Sequence, residues 1–113
     1  MPRDEAILMD IAKAARLVTQ FKQAMDKAAF ENDLKTQSAI LHQLLVLGEA
    51  VKRLSEGFRS QHPEIPWRAY AGLRDVLIHQ YDEVDLNLVW KAADSDIPDL
   101  LQKLAPLLPA QEN

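Results

Sequence analysis

Cysteine is absent from the 113 residues, which removes disulfides, thiolate nucleophiles and cysteine-based zinc sites together. Only three glycines and six prolines interrupt the chain, and they form no phosphate-cradling loop. A His-Glu-x-x-His pair and a Gly-x-Ser-x-Gly elbow are missing as well. No apolar run approaches the ~18 residues that a membrane span requires. The opening Met1-Pro2-Arg3-Asp4-Glu5 has no apolar stretch behind a basic one, so a secretory signal is not expected and a cytoplasmic location is. No segment alternates apolar and polar residues between hairpin turns, which argues against a sheet. Aromatic residues make up 6% of the chain. Positive charge is not in excess. A net charge of −4 and a pI near 5.3 argue against a protein that coats long nucleic acid through bulk charge.

What is present is an ordinary globular balance, 48% hydrophobic and 27% charged, at a length that suits one domain over residues 1–113. Helical chains this short often complete their burial by dimerising. The charge is unevenly spread. Residues 1–49 carry six basic and seven acidic side chains, net −1. Residues 50–81 carry five basic (Lys52, Arg53, Arg59, Arg68, Arg74) against three acidic, net +2. Residues 82–113 carry two basic and seven acidic, net −5. An anionic ligand is therefore expected at a local site in the middle third.

The apolar periodicity is helical throughout. Ile7, Ile11, Ala14, Val18, Phe21 and Met25 form one stripe, predicting a long first helix from Asp4 to about Ala29. Phe30-Glu31-Asn32-Asp33 breaks that pattern, and Asp33 suits the N-cap of a second helix running from Leu34 to about Arg59. Ile40, Leu41, Leu44, Leu47, Val51, Leu54 and Phe58 are its expected buried stripe. Pro63-Glu64-Ile65-Pro66 reads as a stiff linker that leaves His62 in an exposed turn. Short helices follow over Trp67–Ala71 and Leu73–Tyr81, separated by Gly72. Asp85 caps another from Leu86 to about Ala93, and Asp94-Ser95-Asp96 before Pro98 reads as a kink or restart. The expectation is an all-α bundle of about five helices, two long N-terminal ones and shorter C-terminal ones.

The segment from Trp67 to Tyr81 gathers the residues able to do chemistry. On a helix, Arg74, Ile78 and Tyr81 fall near one face, while Asp75 and His79 share another at i,i+4. Asp75 could accept a hydrogen bond from His79 and fix its tautomer. Arg74 keeps its charge and offers a planar fork that fits phosphate oxygens. Arginine with an oriented histidine is a minimal set for moving protons and stabilising charge at a phosphodiester. The competing account makes Arg74 and Asp75 a surface ion pair and His79 a satisfied histidine near a helix end. His42 and Glu49 could share a face of the second helix, but two ligands are too few for zinc, and a solvated or packing role suits His42 better. Trp67 and Trp90 could serve as base-stacking platforms, although tryptophans among helical apolar residues are more often core.

The run Arg74-Asp75-Val76-Leu77-Ile78-His79-Gln80-Tyr81 resembles the Arg-polar-x-x-x-His-x-Tyr signature of the HepT-like family in the HEPN superfamily of ribonucleases. Its flanks are similar too. Leu47-Gly48-Glu49-Ala50 resembles the family's Gly-Glu-Ala helix, Pro63-Glu64-Ile65-Pro66-Trp67-Arg68 its Pro-x-Ile-Pro-Trp linker, and Val84-Asp85-Leu86 with Trp90 its stretch after the motif. The resemblance implies a HEPN-type helical bundle that acts as a toxin beside a minimal nucleotidyltransferase antitoxin. It implies a metal-independent endoribonuclease with no cofactor, cutting transfer or messenger RNA and not DNA, with the motifs of a homodimer lining one cleft. Arg74 and His79 are carried over as catalytic, Asp75 as supporting, and Tyr81 as the tyrosine that the antitoxin modifies with AMP. The alternative is a non-catalytic interaction module that binds a nucleotidyltransferase partner.

Overall fold

The computed structural model describes residues 2–80 and 82–109, and every regular element among them is helical. The α-helices are α1 (Pro2–Lys22), α2 (Lys27–Glu31), α3 (Leu34–Arg53), α4 (Glu56–Gln61), α5 (Trp67–Ile78), α6 (Leu86–Lys91) and α7 (Ile97–Leu104). A π-helical turn, Ala92–Asp96, joins α6 to α7, and a 3₁₀ turn follows at Ala105–Leu107. No helix is long and apolar enough to cross a membrane among the described residues.

The two long helices pack together because each presents one apolar stripe. Ile7, Ile11, Ala14 and Val18 of α1 are buried against Ile40, Leu44, Leu47 and Val51 of α3 in one continuous core. They run antiparallel. Near the start of α1, the buried Asp4 carboxylate accepts hydrogen bonds from the Ser55 amide (3.0 Å) and hydroxyl (2.7 Å) just beyond the end of α3. Helix α5 lies on the other side of α3, and α7 covers α1 with Ile97, Leu100 and Leu104.

Both long helices end earlier than the periodicity predicts. Gln23 has φ 48°, a left-handed conformation that stops α1 at Lys22. The chain restarts at α2 with Asp26 accepting from the Ala29 amide, 2.8 Å away. Phe30, expected in a break, is fully buried and packs against Trp90, with ring centroids 5.4 Å apart. Helix α3 ends at Arg53 because Ser55 turns extended and caps the separate α4, accepting from the Phe58 amide at 3.1 Å.

The expected caps form where the signal is local. Asp33 accepts from the Thr36 amide at 3.1 Å, and Asp85 from the amides of Asn87 and Leu88 at 3.0 and 3.3 Å. Gly72 does not bend the chain: α5 runs unbroken from Trp67 to Ile78. The kink expected near Asp94 is the π turn, and the buried Tyr70 of α5 donates its hydroxyl to the Asp96 carbonyl there, 2.9 Å away. Burial pushes the Tyr70 phenol well above its ordinary pKa, with Asp96 and Asp99 adding to the shift. It therefore stays a donor.

Candidate active site

Helix α5 is fixed at three points along its length. At its start, the Trp67 indole N–H donates to the His62 carbonyl at 3.0 Å, and Phe58 packs against both Trp67 and His62. His62 is thus partly buried and lies 3.5 Å from Glu64, so the expected exposed turn is a packed corner. In the middle, Tyr70 ties α5 to the π turn. Next comes Gly48 of α3. A Cβ at that position would overlap Arg74 Cβ and stand 3.0 Å from the Tyr70 carbonyl oxygen. The absence of a side chain at Gly48 lets α5 lie directly against α3 where Arg74 begins.

Arg74 turns toward α3, and its side chain is 23% exposed. One end of its guanidinium lies 3.1 Å from Glu49 Oε2, and the other donates to Asp75 Oδ1 at 3.0 Å. The same Asp75 oxygen accepts from Lys52 Nζ at 2.9 Å. Glu49, Arg74, Asp75 and Lys52 therefore alternate in sign along a chain of contacts, and their charges cancel. The Lys52 hydrogen bond, followed by that from Arg74, holds the Asp75 carboxyl below its ordinary pKa. Two of the five Arg74 donors are committed, which fixes the plane of the fork and leaves others for a ligand.

His79 is the C-cap of α5 and is exposed. Its Nδ1 lies 2.7 Å from the Asp75 backbone carbonyl oxygen. A carbonyl can only accept, so Nδ1 carries the proton and Nε2 is the free nitrogen. The expected contact between His79 and the Asp75 carboxylate does not form, because Lys52 and Arg74 hold that carboxylate. The ring is nonetheless oriented by residue 75, through its main chain. Val76 and Ile78, which precede the histidine in sequence, are both exposed, so Ile78 does not follow Arg74 toward α3. Tyr81 lies outside the described residues.

The other sequence candidates fall elsewhere. His42 is exposed and apart from Glu49, which pairs with Arg74. Among the described residues, no three histidine, aspartate or glutamate side chains converge as a metal cage requires. Trp67 is 5% exposed and belongs to the core. Trp90 packs on Phe30 beneath the Lys22 ammonium, which lies 4.9 Å from its ring centroid, so neither offers a free stacking face. The sequence reading gives Glu49 and Lys52 no part in the site. Their signal is positional: at i and i+3 beside a glycine on the buried-stripe helix, they border the place where another helix comes closest.

The family model described as Ribonuclease HepT-like matches residues 11–107. A protein of Thermococcus cleftensis that is named a probable ribonuclease HepT is 43% identical over 100 residues, covering 88% of this chain and 91% of its own. A protein of Methanocaldococcus jannaschii that carries an RNase name is 34% identical over 110 residues, covering 96% of this chain and 91% of its own. Another with an RNase name, from Caldanaerobacter subterraneus, is 37% identical over 79 residues, 70% of each chain. No solved structure gives a significant match. The helical bundle and the match across nearly the whole chain agree: the chain belongs to the HepT-like ribonuclease family of the HEPN superfamily.

Proposed function

We propose that this chain is a metal-independent endoribonuclease, active as a cytoplasmic homodimer and forming the toxin half of a toxin–antitoxin pair. The observation that carries the reading is the arrangement on α5: a guanidinium held in plane by two carboxylates, and an imidazole whose Nε2 is free.

The chemistry uses the ribose 2′-oxygen as nucleophile. Nε2 of one His79 takes the 2′-hydroxyl proton as that oxygen bonds to phosphorus, and the bond to the 5′-oxygen breaks. A second, protonated histidine returns a proton to the leaving 5′-oxygen, and a 2′,3′-cyclic phosphate remains. One chain has one such histidine, so the second comes from another copy. Arg74 of each copy stabilises the charge that builds on the phosphorane oxygens. Exposed Val76 (45%) and Ile78 (39%), on the turn of α5 that leads into the histidine, support a dimer, since a second copy would cover them. DNA, without a 2′-hydroxyl, survives. The HepT-like resemblance favours transfer or messenger RNA as target.

The same resemblance makes Tyr81 the residue that a nucleotidyltransferase antitoxin modifies with AMP. A phosphodiester placed two residues beyond His79 adds negative charge and bulk beside the RNA site. A non-catalytic module that binds such a partner is the second reading, and the self-neutralised cluster around Arg74 favours it, because that cluster attracts no anion by net charge alone.

RNA cleavage by the purified chain in excess EDTA, beside Arg74→Ala and His79→Ala prepared identically, tests the proposal. Activity in the parent and its loss in both variants is the expected result. An intact, unmodified and folded parent without activity would leave the interaction module.

A further inference from the structure

We infer that the groove at the head of α5 is a second phosphate site, where Arg59 and Arg68 hold the sugar–phosphate backbone of single-stranded RNA a few nucleotides from the bond that is cut. This rests on the ribonuclease reading above.

The groove, of about 530 Å³, opens where α4 meets α5 and is lined by Glu56, Arg59, Pro66, Trp67 and Arg68, among others. Among the described residues, Arg53 and Arg74 make ion pairs, but neither Arg59 nor Arg68 does, even with Glu56 beside them. The Arg59 Nε is enclosed and donates to no acceptor among the described residues. That enclosed nitrogen is out of a ligand's reach, but neither arginine makes a side-chain hydrogen bond or ion pair among the described residues, and two uncommitted guanidinium forks lining one groove match the geometry of phosphate oxygens.

Helical register connects this groove to the site. At ~100° per residue, Arg68, Gly72, Asp75 and His79 fall within an arc of about 60° on α5, with Arg68 and His79 about 16 Å apart along the axis. Gly72 lies between them and is exposed. A Cβ there would meet nothing within 4 Å, and no glycine among the described residues has a positive φ. Neither packing nor backbone conformation within this chain asks for glycine at a mid-helix position where alanine is intrinsically better. The clear backbone serves something from outside that lies close to α5. Charge selects an anion: residues 50–81 are net +2 between flanks of −1 and −5. On this path the Asp75 carboxylate is already neutralised by Lys52.

The test is binding of a fluorescent single-stranded RNA carrying 2′-O-methyl groups, which cannot be cut, measured by anisotropy across a salt series. Arg68→Gln, on an exposed side chain, should weaken binding about three- to tenfold, lowering the log–log salt slope by about 0.7. In cleavage of ordinary RNA the loss should fall on KM. Arg59→Gln should behave likewise, with Arg59→Lys recovering the salt slope. Gly72→Gln should raise the melting temperature yet weaken binding, a pairing that a purely structural role cannot give. Unchanged affinity and slope in the arginine variants, or no RNA binding by the parent, would overturn the inference. A cleaving parent with indifferent arginine variants would sink the groove and spare the ribonuclease reading. Arginine-dependent binding without cleavage would do the reverse.

Discussion

Gly48 and Arg74 meet across the α3–α5 interface with no room for a methyl group between them, since a Cβ on Gly48 would overlap the Cβ of Arg74. The neighbouring Glu49 reaches past that contact to the guanidinium, 3.1 Å away. One residue of α3 thus brings the arginine close and the next orients it.

Gly48→Ala should therefore damage function and stability together. Overpacking at a tight contact costs about 1–3 kcal/mol. A displacement of the guanidinium by about 1 Å can lower turnover about a hundredfold. Thermal melts and cleavage assays on the variant check both. A parent-like melting temperature with parent-like cleavage would mean that α5 does not depend on this contact.

Asp75 separates charge from hydrogen bonding. Asp75→Asn keeps an oxygen that can accept from Arg74 and leaves the backbone carbonyl that orients His79, so cleavage should stay within about tenfold of the parent. Asp75→Ala releases both Arg74 and Lys52 and should lose more activity than its amide counterpart. Single-turnover rates on the two variants distinguish these outcomes. Equal losses would assign the role to the negative charge.

The helical class, the Asp33 and Asp85 caps and the placing of Arg74 and His79 on one short helical segment, with His79 at its end, are legible in the sequence because each rests on residues within one or two turns of each other. Three of the misses share one physical cause. Ser55 ends α3 while held by Asp4, 51 residues away. The Asp75 carboxylate is taken by Lys52, 23 residues away, in place of His79 one turn on. Phe30 reads as a break from its neighbours, yet it is buried against Trp90. Periodicity reports which face is buried, but not which distant charge or ring meets it.

Tyr70→Phe should loosen the link between α5 and the π turn. It removes one buried hydrogen bond and leaves the Asp96 carbonyl without that donor, a loss of about 1 kcal/mol. A melting temperature lower by about 4 °C is the corresponding shift for a domain near this size. No shift would mean that water replaces the hydroxyl.

Asp4 should make the fold sensitive to acid. The Ser55 amide, and then its hydroxyl, hold the Asp4 carboxyl below its ordinary value of 3.8. A carboxyl lowered by folding contributes stability that is fully present above the unfolded value and is lost as pH falls through the folded one. Denaturant unfolding of the parent should thus weaken below about pH 4. Asp4→Asn should be less stable than the parent at neutral pH, with the gap narrowing in acid. A gap that stays constant with pH would contradict this account.

The most direct measurement is the chemistry of the cut ends, read by mass spectrometry after a defined RNA is incubated with the purified chain in excess EDTA. A 2′,3′-cyclic phosphate, or the 3′-phosphate it opens to, should appear with the parent and be absent with His79→Ala. Ends bearing a 3′-hydroxyl, or cyclic-phosphate ends produced equally by the His79→Ala variant, would contradict a mechanism in which that imidazole moves the 2′-hydroxyl proton.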